Sequence, residues 1–450
     1  MRKLAVGFFL VCTAFISACT PDGSNEFEEV NSWIRDNMEE NYLWNERVPK
    51  KVDGSIPSGA FFGSMLDPND YYSFITNSPD ILESDLDETL YTSGVSPVFG
   101  RFSSSSGIFI LAQFVYPRTS ADTAGLKRGD IILAIDGQPL STSNYQSLFY
   151  SESDSVEYTL GEYDASQNLI TEIEETVTVA QREMELNPVI YNDVIEQGGK
   201  KIGYMFYSEF FEGENNKYID SVDVVLQDMK MAGITDLIVD LRYNPGGSFS
   251  AAENLANGLV STSAAQNEEV FVRFTYNDII EQQIIDEEGA DSERLVVNFS
   301  SDPENLGLQK IYFLVTGETS STSELLINGL IPHMDVEIIG EETSGELFGT
   351  TMISGELATP PNTYLMVPIT LKYENSEGET DLALGLQPDI EAIDDLFEAF
   401  PIGDIEDPLL GAAIQSITSG AKSVSSSSFK VYESLINLRA KKRGKILFRD

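Results

Sequence analysis

Between residues 201 and 339 the chain alternates short apolar runs with amphipathic ones, and this alternation constrains the fold more than any other feature. Residues 202–206 are an apolar strand pattern, and 218–231 have apolar residues at helical spacing. Residues 235–241 (TDLIVDL) read as a buried strand and 251–260 as a helix. The pattern repeats with a strand over 310–315, a helix over 323–331 and a strand over 336–339. Strand–helix alternation of this kind implies an α/β core. Residues 262–309 interrupt it with acidic and polar sequence and read as an insertion or lid. The whole chain has 450 residues, room for about three domains.

Composition removes several function classes. The chain carries 28 Lys and Arg against 73 Asp and Glu, a net charge of −45. Such a surface repels a phosphate backbone, so nucleic acid is excluded as a partner. There is one His and there are two Cys, both of them among the first 19 residues. That leaves no His/Cys zinc site, no disulfide framework and no Cys–His peptidase. No Asp-x-Asp-x-Asp-Gly calcium loop occurs, and no metal or cofactor is called for.

The N-terminus reads as a leader. Arg2 and Lys3 precede an apolar run over residues 4–16, followed by Ser17, Ala18 and Cys19. The run is too short to span a bilayer as a helix, and a basic start with small residues before a Cys reads as a secretory signal. Cys19 stands where a bacterial lipoprotein is processed and lipidated. The expected layout is a lipoprotein signal peptide over 1–18, a tether over 19–26 and a lipid anchor in the outer membrane. A small N-terminal helical cap follows over 27–92, with helical spacing from Val30 to Tyr42 and a cluster at Trp33 and Trp44. The last stretch, 421–450, is a basic tail with eight Lys and Arg against two acids, and residues 431–443 have helical spacing.

Residues 93–183 read as mostly β, with short alternating runs separated by Gly, Ser and Asp turns. Within them, PRTSADTAGLKRGDIILAIDG (residues 117–137) resembles the heart of a PDZ domain. Ala121 and Ala124 let a short helix lie close to the sheet, Gly125 ends that helix, and Asp136 and Gly137 form a tight turn. The resemblance implies strand addition by an extended peptide whose C-terminal carboxylate is held by backbone N–H groups near Gly94 and Val95.

Two pieces of the α/β core carry chemistry. DLRYNPGG (240–247) follows a buried strand and precedes a helix, and paired glycines there let a backbone approach a ligand and aim N–H groups at an anion. FLVTGETSSTSE (313–324) is a strand, a tight turn and a helix start, where a Ser can present its hydroxyl near helix N–H groups. Together with the PDZ-like segment they resemble the C-terminal processing (tail-specific) peptidases, in a Bacteroidetes-type lipoprotein member. The likeness includes YLW (42–44), Asp67-Pro68, GLQPDI (385–390) and DPLL (407–410). It implies an α/β crotonase-like core over 184–420 with an inserted or preceding PDZ-like β domain over 93–183, acting as a serine peptidase on polypeptides with free C-termini.

By the same resemblance Ser321 is the nucleophile, with Ser320 the alternative one register earlier. Oxyanion donors are the backbone N–H of Thr322 and of a glycine in the Gly246–Gly247 pair. Glu324 and Ser323 cap or pack the helix start. The family base is a Lys about 25 residues after the nucleophile, kept neutral by desolvation. Here that position is Glu346, and no Lys occurs between Lys310 and Lys372. Three readings stay open: Glu346 is itself the base, favouring acidic pH; the chain is an inactive pseudo-peptidase that captures peptides; or Lys310 or Lys372 folds into the site. His333 lies 12 residues beyond Ser321, about 18 Å of helix rise away, and reads as a helix-end residue. Asp240 and Arg242 read as a structural ion pair.

Overall fold

The computed structural model describes residues 27–77, 89–102, 107–357, 363–379, 385–421, 432–435, 437 and 446–448. The leader, the tether and Cys19 lie outside the described residues.

The N-terminal part is helical where the apolar spacing demands it. Helix α1 (Glu28–Asn41) turns Val30, Ile34 and Met38 to one side, and α2 (Ser58–Gly63) contributes Phe61 and Phe62 to the same core. Tyr42 closes the unit: its hydroxyl donates to Asp70 Oδ2 at 2.7 Å and accepts from the Asp67 amide at 3.0 Å. Trp33 and Trp44 share this core but not each other. Trp44 packs edge-on against Tyr42 and Phe348, whereas Trp33 lies over Gly355, where any Cβ would come within 2.6 Å of its ring.

The PDZ-like unit is an antiparallel sheet of β1 (Val95–Arg101), β2 (Ile108–Val115), β3 (Ile131–Ile135), β4 (Ser155–Asp164) and β5 (Leu169–Ala180), in that order. Helix α3 (Ser120–Thr123) is capped by Thr119, whose side chain accepts from the Asp122 amide. Helix α4 (Tyr145–Phe149) packs Phe149 into the core between the strands. Gly129 has φ +90, and a Cβ there would meet Ala399 at 2.8 Å. The loop before β3 therefore lies directly on residues of the core.

The core is a six-stranded sheet. Its strands are β6 (Val189–Gln197), β7 (Lys200–Tyr207), β8 (Asp236–Asp240), β11 (Lys310–Val315), β12 (Asp335–Gly340) and β15 (Ile390–Glu391). All pairs are parallel except β6 with β7. Alternation along the strands decides what covers each face. Met205, Val239, Phe313 and Val315 meet α5 (Lys217–Ala232), α6 (Phe249–Leu259) and α7 (Thr322–Leu330). Tyr204, Phe206, Ile238 and Leu314 meet α8 (Pro408–Ser419) and the PDZ-like residues Phe109, Leu111 and Phe114.

Residues 262–309 are not a lid. They supply β9 (Val270–Tyr276) and β10 (Val296–Asn298) to a second sheet with β13 (Phe348–Thr351) and β14 (Ile369–Glu374). Phe271, Phe274 and Phe299 from this acidic stretch are buried in the main core, so its polar composition hid a few deeply packed rings. The helical spacing of 431–443 is also overridden where the chain is described. Glu433–Leu435 forms strand β16 against β1, and Ile446–Phe448 forms β17 against β13.

A buried ion cluster joins these units. Arg242, 1% exposed, donates to Asp240, to Asp394 Oδ1 at 3.0 Å and to Asp407 at 2.9 and 3.0 Å. Arg128, from the loop before β3, donates to Asp394, to Tyr243 Oη at 3.0 Å and to Phe400 O at 2.6 Å. Asp407 also caps α8 through the Leu409 and Leu410 amides. Burial pulls the Arg242 guanidinium down, but Asp240, Asp407 and Asp394 raise it well above its ordinary value, so it stays charged. Arg242→Met would leave three buried carboxylates facing one another. We expect it to lower unfolding stability by about 3–5 kcal/mol, measured by urea denaturation, and a loss below about 1 kcal/mol would contradict the cluster's central role.

Candidate active site

The site is built where β11 ends. The chain turns over residues 316–320 and enters α7 through Ser321, which has φ 57 and ψ −118. A side-chain-bearing residue in that left-handed region costs about 1–3 kcal/mol and is kept only where the surroundings impose it. The surroundings here are the Asp240–Gly247 bend. Thr319 Oγ1 donates to Leu241 O (2.8 Å), Ser320 Oγ to Pro245 O (2.7 Å), Ser323 Oγ to Asn244 O (3.1 Å) and Thr322 Oγ1 to Gly247 O (2.8 Å). The Ser320 amide adds a bond to Asn244 O at 3.2 Å. Every hydroxyl of the TSSTS string is thus spent on the bend except one: Ser321 Oγ is buried and has no hydrogen-bond partner among the described residues.

The bend is fixed in turn. Asn244 Nδ2 donates to Tyr207 O at 3.0 Å, and its Oδ1 accepts from the Gly246 amide at 2.9 Å. The Gly246 N–H is therefore engaged within the bend, which leaves Gly247 as the glycine of the expected pair with its amide not so engaged. Gly247 has φ +129, and a methyl there would stand 2.2 Å from Phe210 O, so only glycine fits. The N–H groups of Gly247 and of Thr322, the first amide of α7, lie on this side of Ser321; a first-turn amide has no acceptor within its own helix.

Glu324 binds the Ser321 turn to the segment that carries position 346. It is fully buried, and Oε2 accepts from the amides of Ser321 (2.9 Å) and Glu346 (2.8 Å). Oε1 accepts from the Gly345 amide (2.7 Å) and from Thr343 Oγ1. Burial raises its carboxyl pKa, and these four donors oppose the rise. Tyr373 closes the other side, its hydroxyl 3.1 Å from both Ser321 O and Glu346 O. Glu346 itself is 7% exposed. Tyr72 is pushed up to about 12 by burial first and then by the charges of Glu346 and Glu324.

The alternative bases are placed elsewhere. Lys310 opens β11, six residues before the turn begins, about 20 Å of strand, and pairs with Glu337. Lys372 is adjacent to Tyr373 on β14 and so points to the opposite face, where it pairs with Glu374 at 2.7 Å. The ring nitrogens of His333 lie 2.8 Å from Glu269 Oε2 and 2.9 Å from Val270 O, beyond the far end of α7.

A cavity of about 420 Å³ connects this site to the PDZ-like unit. Pro245, Ser320, Ser344 and Glu346 line one end; Val95, Val98, Phe149 and Tyr150 line the other. Glu209 and Glu318 also face it, and Gln113 of β2 donates to Glu318, so both units contribute to its wall. At the expected carboxylate loop, Gly94 has φ +101 and its amide is taken by Thr92 Oγ1 at 3.0 Å, while Val95 begins β1. Sequence reasoning missed Tyr72, Gln113 and Tyr373. Gln113 and Tyr373 are single residues on strands and Tyr72 lies in a bend, and only their surroundings across space bring each of them to the site.

Comparison with known proteins agrees with this architecture. The model of peptidase family S41 matches residues 201–392, that of the peptidase S41 N-terminal domain matches 29–80, and a PDZ domain model matches 115–159. A carboxyl-terminal-processing protease of Picosynechococcus is 27% identical over 278 residues, covering 61% of this chain and 58% of that protein. The chloroplastic C-terminal processing peptidase of Tetradesmus obliquus is 24% identical, covering 64% of this chain and 58% of that protein. Alignment with both thus reaches less than two thirds of their length. A candidate S41 protease of Bacteroides fragilis superposes with TM-score 0.68 at 25% identity, covering 86% of this chain and 97% of that one. The photosystem II D1 C-terminal processing protease shares the fold, with TM-score 0.52 at 18% identity over 89% of this chain and 98% of its own. The chain belongs to peptidase family S41, whose peptidases are serine peptidases.

Proposed function

We propose that this chain is a serine endopeptidase of the cell envelope, tethered to the outer membrane by a lipid on Cys19, that cuts exported polypeptides near their C-termini. The observation that supports this most is Ser321. A buried serine held at φ 57, with its hydroxyl left unpartnered while its neighbours are all bonded, is strain retained for a reactive group. In the reaction, Ser321 Oγ gives its proton to the Glu346 carboxylate and attacks the scissile carbonyl carbon. The N–H groups of Gly247 and Thr322 receive the oxyanion. The tetrahedral intermediate collapses, the C–N bond breaks, and the leaving amine takes the proton back from Glu346. Water then hydrolyses the acyl-enzyme by the same steps.

A second reading has its own support. A carboxylate near its ordinary pKa of about 4.3 is a poor base for a serine hydroxyl, and Glu346 stands where the resemblance calls for Lys. In this reading the chain is a pseudo-peptidase that grips polypeptide ends through its PDZ-like groove and does not cut them.

Purified protein is assayed on unstructured peptides from pH 4 to 9, beside Ser321→Ala and Glu346→Lys. For the endopeptidase we expect parent activity that falls at least ~10³-fold in Ser321→Ala, in the range of losing a nucleophile. As Glu346 must be ionised to accept the proton, activity rises with pH on the acid side, and that limb disappears in Glu346→Lys. A silent parent whose Glu346→Lys form cuts peptides, with Ser321→Ala in that background silent, establishes the pseudo-peptidase instead.

A further inference from the structure

The peptide edge of the PDZ-like sheet is occupied by the chain itself. β16 lies antiparallel on β1 in the register Glu433↔Arg101, Ser434↔Gly100 and Leu435↔Phe99, running toward the Gly94 end. Its side chains are seated as a ligand's would be. Leu435 packs against the cluster of Phe99 and Phe149, with Tyr145 and Tyr150 at its rim. Arg101 makes a two-pronged pair with Glu433, both bonds 2.9 Å, and Tyr150 Oη donates to Asn437 Oδ1 at 2.8 Å. Just before them, Tyr432 is 8% exposed and packs edge-on against Phe109 and Phe397. Ser434, Leu435 and Asn437 line the cavity that reaches Glu346. Further along, β17 pairs in parallel with β13 from Gly349, three residues past Glu346.

We infer that residues 432–435 and 437 are a built-in ligand of the PDZ-like groove, which an incoming polypeptide must displace, and that the groove selects an acidic residue two positions before an apolar one. Strand addition supplies sequence-independent backbone bonds, and alternate side chains supply the selection. Arg101 and Glu433 are 37% and 52% exposed, so that pair adds orientation more than affinity; Leu435 in its aromatic seat carries more. A tethered segment acts at an effective concentration in the millimolar range, so a free peptide of micromolar affinity competes poorly with it. The inference rests on the peptide-binding part of the reading above and is independent of whether Ser321 cuts.

The test is fluorescence anisotropy with a labelled peptide of residues 430–438 (KVYESLINL), titrated with the full chain, with Leu435→Asp, and with a chain ending at Ala421. We expect both altered chains to bind at least ~10-fold more tightly than the parent, as loss of a millimolar competitor requires. The truncated chain decides the matter should Leu435→Asp fail to fold. In a released chain, Arg101→Glu should favour the peptide with Lys at its Glu position over the original. Equal affinity in parent and released chains overturns the built-in ligand alone. No binding by any chain, with folding verified by circular dichroism, overturns it together with the peptide-binding reading.

Discussion

Two arginines at the centre of the molecule set where everything else stands. Arg242 and Arg128 share Asp394 and Asp407, and Arg242 also holds Asp240 at the end of β8. Charges so deeply buried are tolerated only when every partner is in place, because each lost partner leaves an uncompensated ion in a poor solvent. The partners come from four places: the strand before the glycine bend, the loop before β3, residue 394 and the cap of α8. Docking of the PDZ-like unit and the position of the bend are therefore satisfied together or not at all.

The bend then shapes the turn at Ser321. Its carbonyls at 244, 245 and 247 accept from the hydroxyls of Ser323, Ser320 and Thr322, which rotates the backbone at 321 into a conformation that a free chain would leave to glycine. Glu324 extends the same order to residues 343–346 through four donors on one carboxylate. The backbone at Ser321 and at Glu346 is thereby tied into one hydrogen-bonded frame, closed on its other side by the Tyr373 hydroxyl. Position 346 carries a glutamate within this frame, its amide held by Glu324 and its carbonyl by Tyr373.

Much of this was legible in the sequence. Strand–helix alternation from 201 to 339 determined a parallel core because fully buried strands need helices on their faces, and the helix-start geometry of Glu324 followed from its place three residues after Ser321. Asp240 and Arg242, two residues apart at a strand end, read correctly as an ion pair, though nothing local announced Asp394, Asp407 or Arg128. The acidic 262–309 stretch reads as an insertion or lid, and the lid alternative fails because composition averages over residues while three buried phenylalanines outweigh many solvated acids. The helical spacing in the tail gave way to β16 because an open sheet edge offers a full row of backbone partners, which a short helix with no face to pack against cannot match.

What the sequence determined alone is local and periodic: which segments are strands or helices, where glycine is obligatory, which serine stands at a helix start, and that position 346 holds an acid. What only the tertiary structure decided is long-range. It showed that the Gly246 amide is already taken by Asn244, that Lys310 and Lys372 are directed elsewhere, and that Glu433–Leu435 pair with the edge of the PDZ-like sheet. Each of these depends on partners between two and more than three hundred residues away. Periodicity reports which way a side chain faces along its own element, and carries no record of what arrives to meet it.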